Sequence, residues 1–66
     1  MTKNRYIITG ISCKDDKKIE ASCIAYDIIS AINLFKDKNI IVHTVPSREQ
    51  VNANLEIGIE GIVKRQ

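Results

Sequence analysis

Tryptophan is absent from this 66-residue chain, which also has one phenylalanine, two tyrosines, one proline and two cysteines. Each shortage closes a possibility. Cys13 and Cys23 stand ten apart with a single distant histidine, and that matches no zinc spacing. The leading residues Met1-Thr2-Lys3-Asn4-Arg5 carry no apolar export segment. The expectation is therefore a reducing cytosol with both thiols free. No apolar run approaches the roughly 18 residues of a membrane span, so no membrane partner is expected. Aromatic residues make up 5% of the chain, which leaves Tyr6 and Tyr26 as the side chains able to stack on a base. The net charge of +2 is too small to point to nucleic acid or anionic lipid.

What the chain does have is isoleucine, 13 of them, spread over elements too short to form more than one domain. A chain of this length buries only about 60% of its unfolded surface. Such scaffolds gain stability from disulfides, a metal or self-association. With the first two disfavoured, a homo-oligomer is expected and no cofactor.

Residues Arg5 to Cys13 are β-branched and apolar, with Ile7, Thr9, Ile11 and Cys13 on one face and Tyr6, Ile8 and Gly10 on the other. The first set is assigned to the core. Lys14-Asp15-Asp16-Lys17 reads as a tight turn. Lys18 to Tyr26 then alternates, Ile19, Ala21, Cys23 and Ala25 facing in, so the two segments form an antiparallel hairpin. At Asp27 the period changes to helical, with Ile28, Ala31, Ile32 and Phe35 as the stripe and Ile29 widening it. Asp27 is suited to cap the helix, and Asn39 to leave it in a left-handed conformation.

Asn39 to Val45 reads as a third strand that Pro46 ends. Residues Pro46 to Asn54 read as a loop, and Leu55 to Val63 as a last strand with one wet face. Gly58 and Gly61 within it mark a bulge or a close backbone approach. The fold class is α+β, in the order ββαββ, a small antiparallel sheet with one helix on one face. The second face, bearing Ile24 and Tyr26, is too apolar to be plainly solvated and is expected to meet a partner.

Two stretches, Tyr6-Ile7-Ile8-Thr9-Gly10-Ile11 with its Lys-Asp-Asp turn, and the short helix leading to Ile41-Val42-His43-Thr44-Val45-Pro46, resemble a family of short bacterial and phage domains of unknown function. The resemblance covers nearly the whole chain and departs in the segment from Pro46 to Asn54. It implies the same element order and a bacterial or phage setting. It carries no activity.

His43 is the one histidine, and neutral-pH titration suits a general base. A strand histidine with no orienting carboxylate close in sequence is better read as structural. An enzyme would need His43 to meet Glu56 or Glu60, so no enzymatic activity is expected. The cysteines read as buried filler, and Asp15-Asp16 as a solvated turn. The stretch richest in ligand chemistry is His43, Thr44, Ser47 and Arg48, with Asn52 and Asn54 following. Hydroxyls and a forked guanidinium there suit a phosphate or carboxylate, and Tyr26 supplies a contact on the sheet face. Together these point to a binding module that occupies a host (defence) protein or sequesters an anionic, nucleotide-like signal. The alternative is a small nucleic-acid binder using the basic ends Lys3, Arg5, Lys64 and Arg65.

Overall fold

Two strands, β1 (Asn4–Ser12) and β2 (Lys18–Ala25), pair antiparallel from Asn4 opposite Ala25 to Ile11 opposite Lys18. They belong to a computed structural model that describes residues 2–65. The turn between them closes through Ser12 N–H to the Lys17 carbonyl and Asp16 N–H to the Ser12 carbonyl, both 2.9 Å. Asp16 takes the left-handed conformation the reversal requires (φ 55°), and Asp residues tolerate that region better than most.

Helix α1 (Ile28–Lys36) starts where the sequence places it. The Asp27 carboxylate accepts the Ser30 amide at 2.7 Å, satisfying one of the free donors of the first turn. That bond holds the Asp27 carboxyl below the usual carboxylate range. Asn39 leaves the helix at φ 61°. The buried helical residues are Ala31 and Phe35, with Leu34 packed beside them. Ile28, Ile29 and Ile32 remain exposed, so the helix is rolled away from the stripe the periodicity suggests. Isoleucines on more than one side of nine residues leave the roll to be chosen by the sheet.

β3 (Ile40–Gln50) and β4 (Gly58–Arg65) complete an antiparallel sheet in the order β3-β1-β2-β4. The ββαββ α+β architecture is as the sequence indicates. β3 differs from expectation, since it continues through Pro46 to Gln50 rather than stopping. Proline is tolerated because β3 is an edge strand and its register shifts twice, between Ile7 and Thr9 and between Thr9 and Gly10. Edges and bulges are where a residue without an amide proton fits a sheet. The irregular connection is thus residues 51–57, and Leu55 and Ile57 precede β4.

The core holds Tyr6 and Ile8 of β1, Ile19, Ala21, Cys23 and Ala25 of β2, Ala31 and Phe35 of α1, and Ile40 of β3. β2 therefore faces as its alternation indicates, but β1 is reversed. Tyr6 and Ile8 lie under the helix, opposite Cys23 and Ala21, and Gly10 lies opposite Ile19. Ile7, Thr9 and Ile11 lie on the open side. Both faces of β1 are apolar, so period-two alternation does not choose between them. Gly10 decides. A Cβ there would run into the Ile41 carbonyl, and the bulged β3 crosses close over that point. Cys13, expected to be buried, is exposed just beyond β1, whereas Cys23 is fully buried. Burial pushes the Cys23 thiol up to about 11.

Candidate functional site

The open side of the sheet is the face that α1 does not cover. Across it run Ile7, Thr9 and Ile11 from β1, with Ser22, Glu20 and Lys18 as their β2 partners. Ile24, opposite Arg5 and expected on an open apolar face, is buried instead. Thr44 stands opposite Thr9 and Ile41 opposite Ile11 on β3, while Arg65 and Val63 stand opposite Lys18 and Glu20 on β4. The two shifts in β3 matter here. Thr9 pairs with Thr44 and Gly10 with Val42, which leaves His43 as the extra residue between them. A bulged strand bends, and the bend re-aims the side chains beside it.

The result is a hollow of about 460 Å³ at the turn end of the sheet, lined by Thr9, Ile11, Lys18, Glu20, His43, Thr44 and Arg65. Thr9 and Thr44 are hydrogen-bonded hydroxyl to hydroxyl across β1 and β3. Arg65 Nη2 donates to Glu20 Oε1 at 2.9 Å, which leaves its other donors unused by the described residues. Lys18 has no carboxylate within ion-pair distance among the described residues. The hollow thus combines two cations, one carboxylate, an imidazole and two hydroxyls with Gly10 and two isoleucines, Ile11 and Ile19.

The residues singled out from the sequence divide. His43 and Thr44 line the hollow. Ser47, opposite Ile7, lies on the same face but outside the hollow. Arg48, opposite the buried Tyr6, is turned to the helix-bearing side, because adjacent strand residues point to opposite faces. The expected grouping of Ser47 and Arg48 on one ligand-holding loop therefore does not form. Asn52 accepts the Asn54 amide at 2.8 Å in a local turn. Tyr26 follows the end of β2, where its carbonyl accepts Asn4 Nδ2 at 3.4 Å. Lys18, Glu20 and Thr9 are not among those residues, and Arg65 is among them only as a basic chain-end residue. Thr9 stands opposite Glu20 in the hairpin, with Lys18 two residues before Glu20 on the same face, and that pairing is the available signal. The arrival of Arg65 depends on β4 docking beside β2, which no local pattern indicates.

The four basic residues near the chain ends do not form one edge, since β1 and β4 are separated by β2. Lys3 Nζ donates to the carbonyls of Ala53 (2.8 Å) and Leu55 (2.7 Å). Arg5 binds Glu60, and Lys64 Nζ lies 2.6 Å from Asp15 Oδ2. Lys64 holds the Asp15 carboxyl below its ordinary range, as Arg5 does for Glu60. No group of three or more metal-ligating side chains occurs among the described residues, and no helix among them is long and apolar enough to cross a membrane.

Compared with family models, curated proteins and solved structures, the chain gives no match.

Proposed function

We propose that this chain is a non-enzymatic binding module that takes a small anionic, nucleotide-like ligand in the hollow on its open sheet face. The observation that supports this is the joint placement of Lys18, Arg65 and His43 with the paired hydroxyls of Thr9 and Thr44 around one cavity. Its volume falls within the range of small-molecule sites, about 300–1,000 Å³. Lys18 and Arg65 offer charge-assisted bonds to phosphate oxygens. The Thr hydroxyls and His43 offer donors and acceptors to a sugar or base edge, and Ile11 gives an apolar floor. His43 and Glu20 line the same hollow, but Glu20 is engaged by Arg65 and supplies no base partner for the imidazole.

A module of this kind acts by occupancy. In the bacterial or phage setting that the sequence resemblance implies, it withholds a nucleotide-like signal or blocks the host protein that reads it. The nucleic-acid alternative has less behind it, because Lys3, Arg5 and Lys64 are each held by an oxygen of the chain itself and β2 separates the two strands that carry the basic ends.

The test is direct. Protein purified from cells under native conditions is denatured, and the released small molecules are separated and weighed by mass spectrometry. A phosphorylated compound in stoichiometric yield supports the reading. A filtrate without one, together with no shift in melting temperature on adding nucleotides at millimolar concentration, sinks it.

A further inference from the structure

The two edges of the sheet are built differently. β3 carries Pro46 and two register shifts and ends in Arg48, Glu49 and Gln50. Proline, bulges and charge are the devices by which natural sheets block pairing at an edge. β4 has no proline, and its middle is Gly61, Ile62 and Val63. Ile62 and Val63 are 40% and 59% exposed.

The backbone of β4 also has free valences. Ser12 N–H bonds the Lys17 carbonyl, and antiparallel bonding alternates from there. Ile19, Ala21 and Cys23 therefore bond toward β1, and Lys18, Glu20 and Ser22 toward β4. Their β4 partners are Arg65, Val63 and Gly61. The remaining residues, Ile62 and Lys64, point N–H and C=O outward from the last strand of the sheet.

We propose that β4 pairs antiparallel with β4 of a second copy about a two-fold axis through Ile62, making one continuous eight-stranded sheet. This goes beyond the ligand reading and does not depend on it. The pairing is self-complementary. Ile62 meets Ile62 of the other copy, with mutual backbone bonds. Val63 of each copy comes beside Gly61 of the other, where a side chain would meet nothing within 4 Å and a hollow of about 190 Å³ opens between Ile7, Ser22, Gly61 and Val63. The basic end of each strand, Lys64 and Arg65, runs beside the start of the other, which holds Glu60, and not beside a second basic end. The chain also exposes 4615 Å², against about 4,200 Å² expected for a monomer of its mass.

Sedimentation equilibrium of the full chain from 10 to several hundred micromolar tests the proposal. The wild type is expected at twice 7.4 kDa at the upper end. Ile62→Lys and Gly61→Lys, both at positions with room in the single chain, are expected to keep the circular-dichroism spectrum and sediment as monomers. Ser47→Lys on the other edge should leave the dimer intact. A wild type that stays monomeric overturns the proposal, as do folded Ile62 and Gly61 variants that dimerise undiminished. If those variants fail to fold, cross-linking decides. In a Cys13→Ala background, Ile62→Cys oxidises to a covalent dimer and Ile41→Cys does not, whereas no cross-link at position 62 overturns the pairing. Loss of ligand binding in a chain that still dimerises would count against the proposed function alone.

Discussion

Arg5 and Glu60 form a two-pronged ion pair that ties β1 to β4 across the intervening β2. Nε lies 2.8 Å from Oε1, and Nη2 lies 3.0 Å from Oε2. A bulge makes the pair. Ser22 stands opposite Gly61 and Cys23 opposite Ile59, so Glu60 is the extra residue and reaches back toward Arg5. The pair raises the Arg5 guanidinium further above its ordinary value and lowers Glu60, the direct hydrogen bond being the main cause in each.

The acid limb of stability follows from that lowering. Glu60, Asp15 and Asp27 all have folded values below their ordinary ones. Each contributes stability that is present above the unfolded carboxylate range, about pH 4. That contribution is lost as pH falls through the lower folded values. Denaturant midpoints measured from pH 7 down to pH 2 should stay flat to about pH 5 and then fall. Glu60→Gln should lower the pH 7 midpoint and flatten the fall. An unchanged slope in that variant would show that the pair carries no linkage.

Gly10 should not tolerate a side chain. The Ile41 carbonyl occupies the place of a Cβ, so Gly10→Ala must displace the bulged edge strand. A loss of at least about 2 kcal/mol is expected from equilibrium unfolding, at the upper end of overpacking costs. Gly61→Ala, with open space around it, should change stability by less than about 0.5 kcal/mol in the monomer. Equal losses at the two positions would contradict the stated register.

The thiols should part company. Cys13 is exposed and Cys23 buried, with the Cys23 thiol raised to about 11. Since the thiolate is the reactive form, a maleimide should label Cys13 of the folded protein within minutes and Cys23 only after denaturant is added. Cys23→Ala should cost about 1 kcal/mol, as loss of a small buried group does. Fast labelling of both would mean that β2 faces the other way.

The reversal at Cys13 shows where the sequence is informative. The hairpin, the Asp27 cap, the Asn39 exit and the element order are local signals, and each holds in the structure. The face of β1 is not local. Ile7 and Ile11 rival Tyr6 and Ile8 as core residues, and the choice rests on Gly10 meeting a strand 30 residues away. Pro46 stops an inner strand but not an edge one, and edge position is a property of the assembled sheet. Of the hollow, the sequence likewise points to His43 and Thr44. Lys18 and Glu20 read as ordinary exposed residues until β3 and β4 bring Thr44 and Arg65 beside them.

Isothermal titration of nucleoside mono-, di- and triphosphates and cyclic dinucleotides into wild type, Lys18→Ala and Arg48→Ala tests the central claim most directly. The account predicts that at least one of these compounds binds the wild type. Lys18→Ala should weaken that binding roughly tenfold, as the loss of a charge-assisted bond does, and Arg48→Ala, on the opposite side of the sheet, should leave it unchanged. No binding by any of them, or weakening by Arg48→Ala and not by Lys18→Ala, would contradict it.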